Sequence, residues 1–103
     1  MKGLAQQHKR HLRKLAHNLR PVIIVGAGGL SDPVMAEIDL AIGTHELIKV
    51  RLNTPDREVR SKMVERVIAH TGAQLVQAIG HVVVLFRQRP TDSRIALPTL
   101  KGS

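Results

Sequence analysis

Four consecutive apolar residues, Val22-Ile-Ile-Val25, run into Gly26-Ala-Gly-Gly29 and then into Ser31-Asp-Pro33. This stretch constrains the fold more than any other. A short run dominated by β-branched residues, with no polar position, is the pattern of a strand inside a sheet or covered on both faces. Ser31 and Asp32 offer an N-cap and Pro33 suits the first helical position, so a helix is predicted immediately after the glycines. Val34, Met35, Ile38, Ala41 and Ile42 supply its apolar stripe, with Gly43 as its predicted end.

The same strand-then-helix grammar recurs. His45–Leu52 (HELIKVRL) alternates as a strand, with Ile48, Val50 and Leu52 on one face and Leu47, Lys49 and Arg51 on the other. Thr54-Pro55-Asp56 reads as an N-cap, a proline at the first helical position and an acid in the first turn. The helix it opens is predicted to reach about Thr71, with Val59, Met63, Val64, Val67 and Ile68 inward and Gly72 closing it. Gln74–Ile79 and Val82–Arg87 are two further strands joined by Gly80-His81, a two-residue II′ hairpin turn. Ahead of all this, residues 4–19 form an amphipathic helix with Leu4, His8, Leu12, Leu15, Ala16 and Leu19 on one stripe, stopped by Pro21. The predicted order is αβαβαββ. This is an α/β, two-layer domain, a four-stranded mixed sheet packed with three helices. Residues 1–88 form the domain, and 89–103, polar, basic and broken by prolines, are expected as a flexible or loosely docked tail.

Charge narrows the function. The chain of 103 residues has a net charge of +8. Lys2, Lys9, Arg10, Arg13, Lys14 and Arg20 precede the first acid, Asp32. Residues 32–86 are nearly neutral, with seven acids against six bases, and Arg87, Arg89, Arg94 and Lys101 make the end basic again. Such segregation suggests a footprint for a polyanion. There is no cysteine, so disulfides and thiolate metal sites are excluded. No apolar run approaches the roughly 20 residues of a membrane span, and the N-terminus lacks the apolar region of a secretory signal. A cytoplasmic, soluble protein is expected; an in-plane membrane helix over residues 4–19 would lack aromatic anchors.

Catalysis finds little support. The acids read as caps or solvent-facing helix positions, and no carboxylate pair or Ser/His/Asp set stands out. GAGGLS lacks the full GxGxxG spacing of a dinucleotide loop. The acid expected at the end of the second strand is replaced by Lys49-Val-Arg51-Leu. His8, His11 and His17 share a basic helix without acidic partners, a poor cation site. No metal, cofactor or small-molecule substrate is therefore expected.

An aromatic base-stacking platform is excluded, because the chain has no Trp or Tyr and a single Phe, Phe86, expected in the core. What remains is recognition of an RNA backbone by cations and main-chain N–H groups. A Gly-x-x-Gly loop over Gly26, Ala27, Gly28 and Gly29 suits that mode. Without Cβ atoms the backbone can approach a sugar–phosphate chain, as in the GxxG loop of KH modules. The helix N-terminus beyond it would favour the same anion. The candidate RNA contacts are these four loop residues, with Lys9, Arg10, Arg13, Lys14 and Arg20 flanking them. Lys49 and Arg51 join if their strand face is open.

The chain resembles the CRM domain, the chloroplast RNA splicing and ribosome maturation module, in its single-domain bacterial YhbY-like form. The resemblance rests on HLRKLAHNLRPVIIVG, GAGGL, HELIKVRL and LVQAIGHVVVLFR, which together span about residues 8–87. It implies a core similar to the C-terminal domain of translation initiation factor three. It also implies an RNA-binding ribosome assembly factor that associates with large-subunit precursors, with the family's GxxG at Gly26–Gly29; a non-catalytic monomer binding ribosomal RNA is expected. Relatives often carry Asn where Gly28 stands and Tyr where Phe86 stands. A loop with Gly28 has only its main chain to offer. The alternative is an adaptor whose basic helix docks an acidic protein partner in a ribonucleoprotein particle.

Overall fold

A computed structural model describes residues 6–26, 28–93 and 95. Leu4 of the predicted first stripe, with Lys2, Ala27, Arg94 and Lys101, lies outside them. The elements are α1 (Gln6–Ala16), β1 (Pro21–Val25), α2 (Asp32–His45), β2 (Leu47–Leu52), α3 (Arg57–Thr71), β3 (Gln74–Ile79) and β4 (Val82–Phe86), the order expected. They build a four-stranded sheet in the order β1-β2-β4-β3. β1 pairs parallel to β2, and the other two pairings are antiparallel. The apolar run Val22–Val25 is therefore an edge strand, not one inside the sheet or covered on both faces: Ile23 and Val25 are buried, while Val22 and Ile24 are exposed.

Alternation along the strands sorts side chains onto two faces. Ile23, Val25, Ile48, Val50, Leu52, Val83 and Leu85 meet Met35, Ile38 and Ile42 of α2 and Met63 and Val67 of α3 in the main core. On the opposite face Leu47, Val76, Val84 and Phe86 meet Leu12 and Ala16 of α1, with Ile95 against them. The two-layer arrangement therefore holds for α2 and α3, while α1 adds a partial third layer. Phe86 is 3% exposed, a core residue as expected. Of the predicted α1 stripe, Leu15 and Leu19 stay exposed and line a groove with Val22 and Leu47 of the sheet.

Several boundaries differ from the sequence reading. α2 does not stop at Gly43 but continues to His45, and Glu46 caps it at φ 67° with its N–H donating to Ile42 O. Glycine at 43 has another cause: a Cβ there would lie 3.1 Å from Nη2 of Arg87. The cap of α3 is Asp56, not Thr54; its carboxylate accepts from the N–H groups of Glu58 and Val59. A carboxylate on the residue adjoining the helix reaches those donors, which a hydroxyl two residues earlier does not. Val59 faces solvent rather than the core. Gly72 closes α3 at φ 72°. Gly80 turns the hairpin at φ 56° while His81 stays outside the left-handed region, as a II′ turn requires.

The basic C-terminal stretch is used internally where it is described. Nη1 of Arg87 donates to Asp39 Oδ1 at 2.8 Å and to Thr71 O at 2.6 Å, tying β4 to both core helices. Arg89 donates from Nε to Gly43 O and from Nη2 to Thr44 O, filling the open carbonyls at the end of α2. The buried Glu46 carboxylate accepts from Arg89 N at 2.9 Å and Ser93 Oγ at 2.6 Å. The start of the expected loose tail thus packs on the domain. Replacing Arg87 by Met removes charged hydrogen bonds to two helices and is expected to lower stability by about 2 kcal/mol. Thermal unfolding should show this as a Tm lower by roughly 10 °C.

Candidate nucleic-acid interface

α1 covers only one end of its sheet face, so the open part of that face is where a ligand can sit. Leu47 pairs with Phe86 beneath the helix. Farther along, Lys49 pairs with Val84, and Val84 with Gln77. The next row runs Ile24, Arg51, Val82, Ile79 across all four strands. The face that sequence left undecided is open: Ile24 is 61% and Ile79 64% exposed. A register shift between Leu75 and Gln77 turns Val76 and Gln77 to the same side. Val76 packs under α1, and Gln77 reaches the open part.

Between α1 and this strand surface lies a cleft of about 660 Å³. Arg10, Arg13, Lys14 and His17 line it from the helix and Lys49 from the sheet; none of its lining residues is acidic. Nζ of Lys49 lies 3.5 Å from His17 O at the helix end. Arg51 follows Lys49 on the same strand face, its Nε donating to Asn53 Oδ1 at 2.8 Å. Five of the predicted cations therefore surround one open surface. The other two do not line the cleft: Lys9 is half-buried elsewhere on α1, and Arg20 borders an apolar groove with Leu15, Leu19 and Val22 at the β1 edge. Gln77 is an addition that the sequence did not single out, and His17, weighed there only as a poor metal ligand, joins the cations of the cleft. Their signal was present only as helix spacing from Arg10 and Arg13 and as strand alternation next to a bulge.

The glycine loop stands at the far end of this surface. Val25 pairs with Leu52, and Asn53 N donates to Val25 O at 2.9 Å, so the loop leaves the sheet beside Arg51 and Asn53. The end of the sheet under α1 is five residues back along β2, roughly 16 Å. Along β2 the Lys49–Arg51 strand face lies between the seat of Leu12 and Ala16 on the sheet and the loop. Within the loop Gly29 N donates to Gly26 O at 3.0 Å, and Gly29 has φ 71°. A Cβ on Gly26 or Gly28 would meet nothing within 4 Å, so neighbouring side chains do not explain those two glycines.

The N-terminus of α2 offers an anion less than its position suggests. Asp32 opens the helix, Pro33 has no N–H, and the N–H of Val34 is taken by Ser31 Oγ. A carboxylate and two missing donors work against a phosphate there. Among the described residues no group of three or more His, Asp or Glu could hold a metal, and no helix is long and apolar enough to cross a membrane.

The model of the CRS1/YhbY (CRM) domain family matches residues 4–87. The chain belongs to that family. A Haemophilus influenzae protein named an RNA-binding protein is 41% identical over 98 residues, covering 95% of this chain and 98% of its own. A relative from Pseudomonas aeruginosa, named a probable RNA-binding protein, is 35% identical over 92 residues, 89% of this chain and 88% of its own. A Staphylococcus aureus protein solved in solution superposes with a TM-score of 0.79 at 34% identity, covering 92% of this chain and 99% of that one. The CRM fold, with its three helices and mixed sheet, is thus shared along almost the whole chain.

The loop geometry separates two kinds of glycine in this CRM domain. Gly29→Ala places a Cβ in the left-handed region and is expected to cost about 1 kcal/mol. Gly26→Ala meets no neighbour and should leave the denaturant midpoint within error of the parent. Urea titration of both variants checks the contrast.

Proposed function

We propose that this CRM domain is a non-catalytic RNA-binding protein that contacts the RNA backbone in the large-subunit ribosomal precursor. One observation carries the reading. Arg10, Arg13, Lys14, Lys49 and Arg51, from a helix and a strand far apart in sequence, border one open surface, and the cleft in it has no acidic lining residue. Positive charge held on a rigid scaffold around a concave surface attracts phosphates and releases their counterions on binding. The names of the Haemophilus and Pseudomonas relatives support RNA as the partner. The ribosomal assignment comes from the family resemblance.

In this reading α1 and the Lys49–Arg51 strand face supply most of the phosphate contacts. The loop lets the backbone of a second stretch of RNA approach at Gly26 and Gly28, where no Cβ projects. The α2 N-terminus contributes little. Lys9 and Arg20 add long-range attraction without lining the cleft.

Affinity for a fragment of large-subunit RNA, measured against salt, tests the proposal. The log–log slope should be about −0.7 to −0.9 per phosphate contact, and Arg13→Ala should lower its magnitude by about one such step. The double variant Gly26→Asp, Gly28→Asp should weaken RNA binding at unchanged Tm, because both positions face open space. A flat salt dependence overturns the reading. Wild-type affinity in the double variant removes the loop from it.

A further inference from the structure

The cleft has a feature that phosphate binding does not use. Cations come from its α1 wall and from Lys49, but the floor is apolar: Ile79, Val82 and Val84 lie along it, with Gln77 beside them. Ile79 is 64% exposed and Ile24, in the same cross-strand row, is 61% exposed. Aliphatic surface left open inside a cationic cleft can be covered by the apolar part of the same ligand that meets the cations. A fully paired RNA helix would not cover them. It turns phosphates and sugars outward and keeps its base faces stacked inside, so it would satisfy the cations and leave the aliphatic floor wet.

We propose that the cleft between α1 and β3–β4 holds an unpaired nucleotide of the bound RNA. Its base lies against Ile79 and Val82, its edge reaches the Gln77 amide, and its phosphate meets Arg10, Arg13 and Lys14. This rests on the RNA-binding reading above and names the part of the RNA that the site takes. Three properties of the cleft fit that occupant. Its volume of about 660 Å³ falls within the range of roughly 300–1,000 Å³ for small-molecule sites. Its charge is on one wall and its apolar surface on the other, matching the phosphate and base ends of one nucleotide. The Gln77 side chain carries both a donor and an acceptor, so it can pair with a base edge of either polarity. Single-stranded binders commonly supply the base contact with an aromatic ring. Here the one Phe is buried under α1, and the aliphatic row takes that place with a weaker, less base-selective contact.

The experiment compares the full chain with Ile79→Thr and the double variant Ile79→Thr, Val82→Thr. The ligands are a single-stranded RNA oligonucleotide and a blunt duplex of the same length. Threonine keeps the β-branched strand preference, and Tm verifies that each fold is intact. The single strand should bind at least about tenfold tighter than the duplex. Each threonine should weaken single-strand binding by about fivefold, as expected for losing the cover of one aliphatic side chain. Duplex binding and the salt slope should not change. With a 4-thiouridine-substituted single strand, the crosslinked peptide should contain Gln77–Val82. Equal affinity for the two RNAs, with no effect of either variant, overturns the nucleotide site and leaves RNA binding intact. Salt-insensitive binding, or no binding, of both RNAs overturns the two readings together. An acidic peptide displaced by Ile79→Thr while RNA is retained would assign the floor to a protein instead.

Discussion

The corner where α2 gives way to β2 governs the rest of this domain. Glu46 turns the chain there at a positive φ that L-residues rarely adopt, and the residue is only 1% exposed. Such a residue persists where its surroundings over-determine it. Its carbonyl accepts from Arg87 N at 2.8 Å and its carboxylate takes the donors of Arg89 and Ser93. One residue further into the sheet, Leu47 pairs with Phe86 beneath α1. On the other side, Arg87 ties the strand end to Asp39 and Thr71. One polar corner thus anchors both core helices, the β2–β4 register and the seat of α1. With that end of the sheet closed, the open end falls at Lys49, Arg51 and the glycine loop.

The element order was legible because periodicity is local. β-branched runs, helical stripes and Gly72 and Gly80 each signal within a few residues, and each marks its element correctly; what they do not give is coverage, since the Val22–Val25 run forms an edge strand with Val22 and Ile24 exposed. The errors fell where the deciding partner is distant in sequence. Gly43 reads as a helix stop until Arg87, 44 residues later, lies across it. Arg87 and Arg89 read as free positive charge until the fold sets them against Asp39 and the α2 carbonyls, 45 to 48 residues away. Val59 reads as inward by spacing, but at the first turn of α3 it is exposed, and burial begins with Met63. The candidate site divides in the same way. The charge on α1 is visible in the chain, whereas its meeting with Lys49, Gln77 and Ile79 depends on the face of the sheet that α1 covers.

The basic charges fall into two populations with different physics. Arg87 and Arg89 are fixed by acceptors within the fold and hold it together at short range. Arg10, Arg13, Lys14 and Lys49 line a cleft with no acidic lining residue, and Arg51 follows on the same strand face, so their mutual repulsion is relieved by an arriving polyanion. Net charge alone does not distinguish the two, and only the second population should respond strongly to salt in binding.

The absence of aromatic residues from the open face sets the kind of recognition this surface can provide. Aromatic rings hold bases by stacking worth about 1–3 kcal/mol each, which a row of Ile and Val cannot match contact for contact. Affinity then has to come chiefly from phosphates, and phosphates carry no sequence information. Selectivity must instead lie in the shape of the RNA. The RNA proposed above places backbone over α1 and the Lys49–Arg51 face, a close-approaching strand at Gly26 and Gly28, and an unpaired base over Ile79. A regular duplex meets the first condition and an unstructured strand does not hold all three at once. The surface is therefore suited to a folded RNA in which paired and unpaired segments lie side by side.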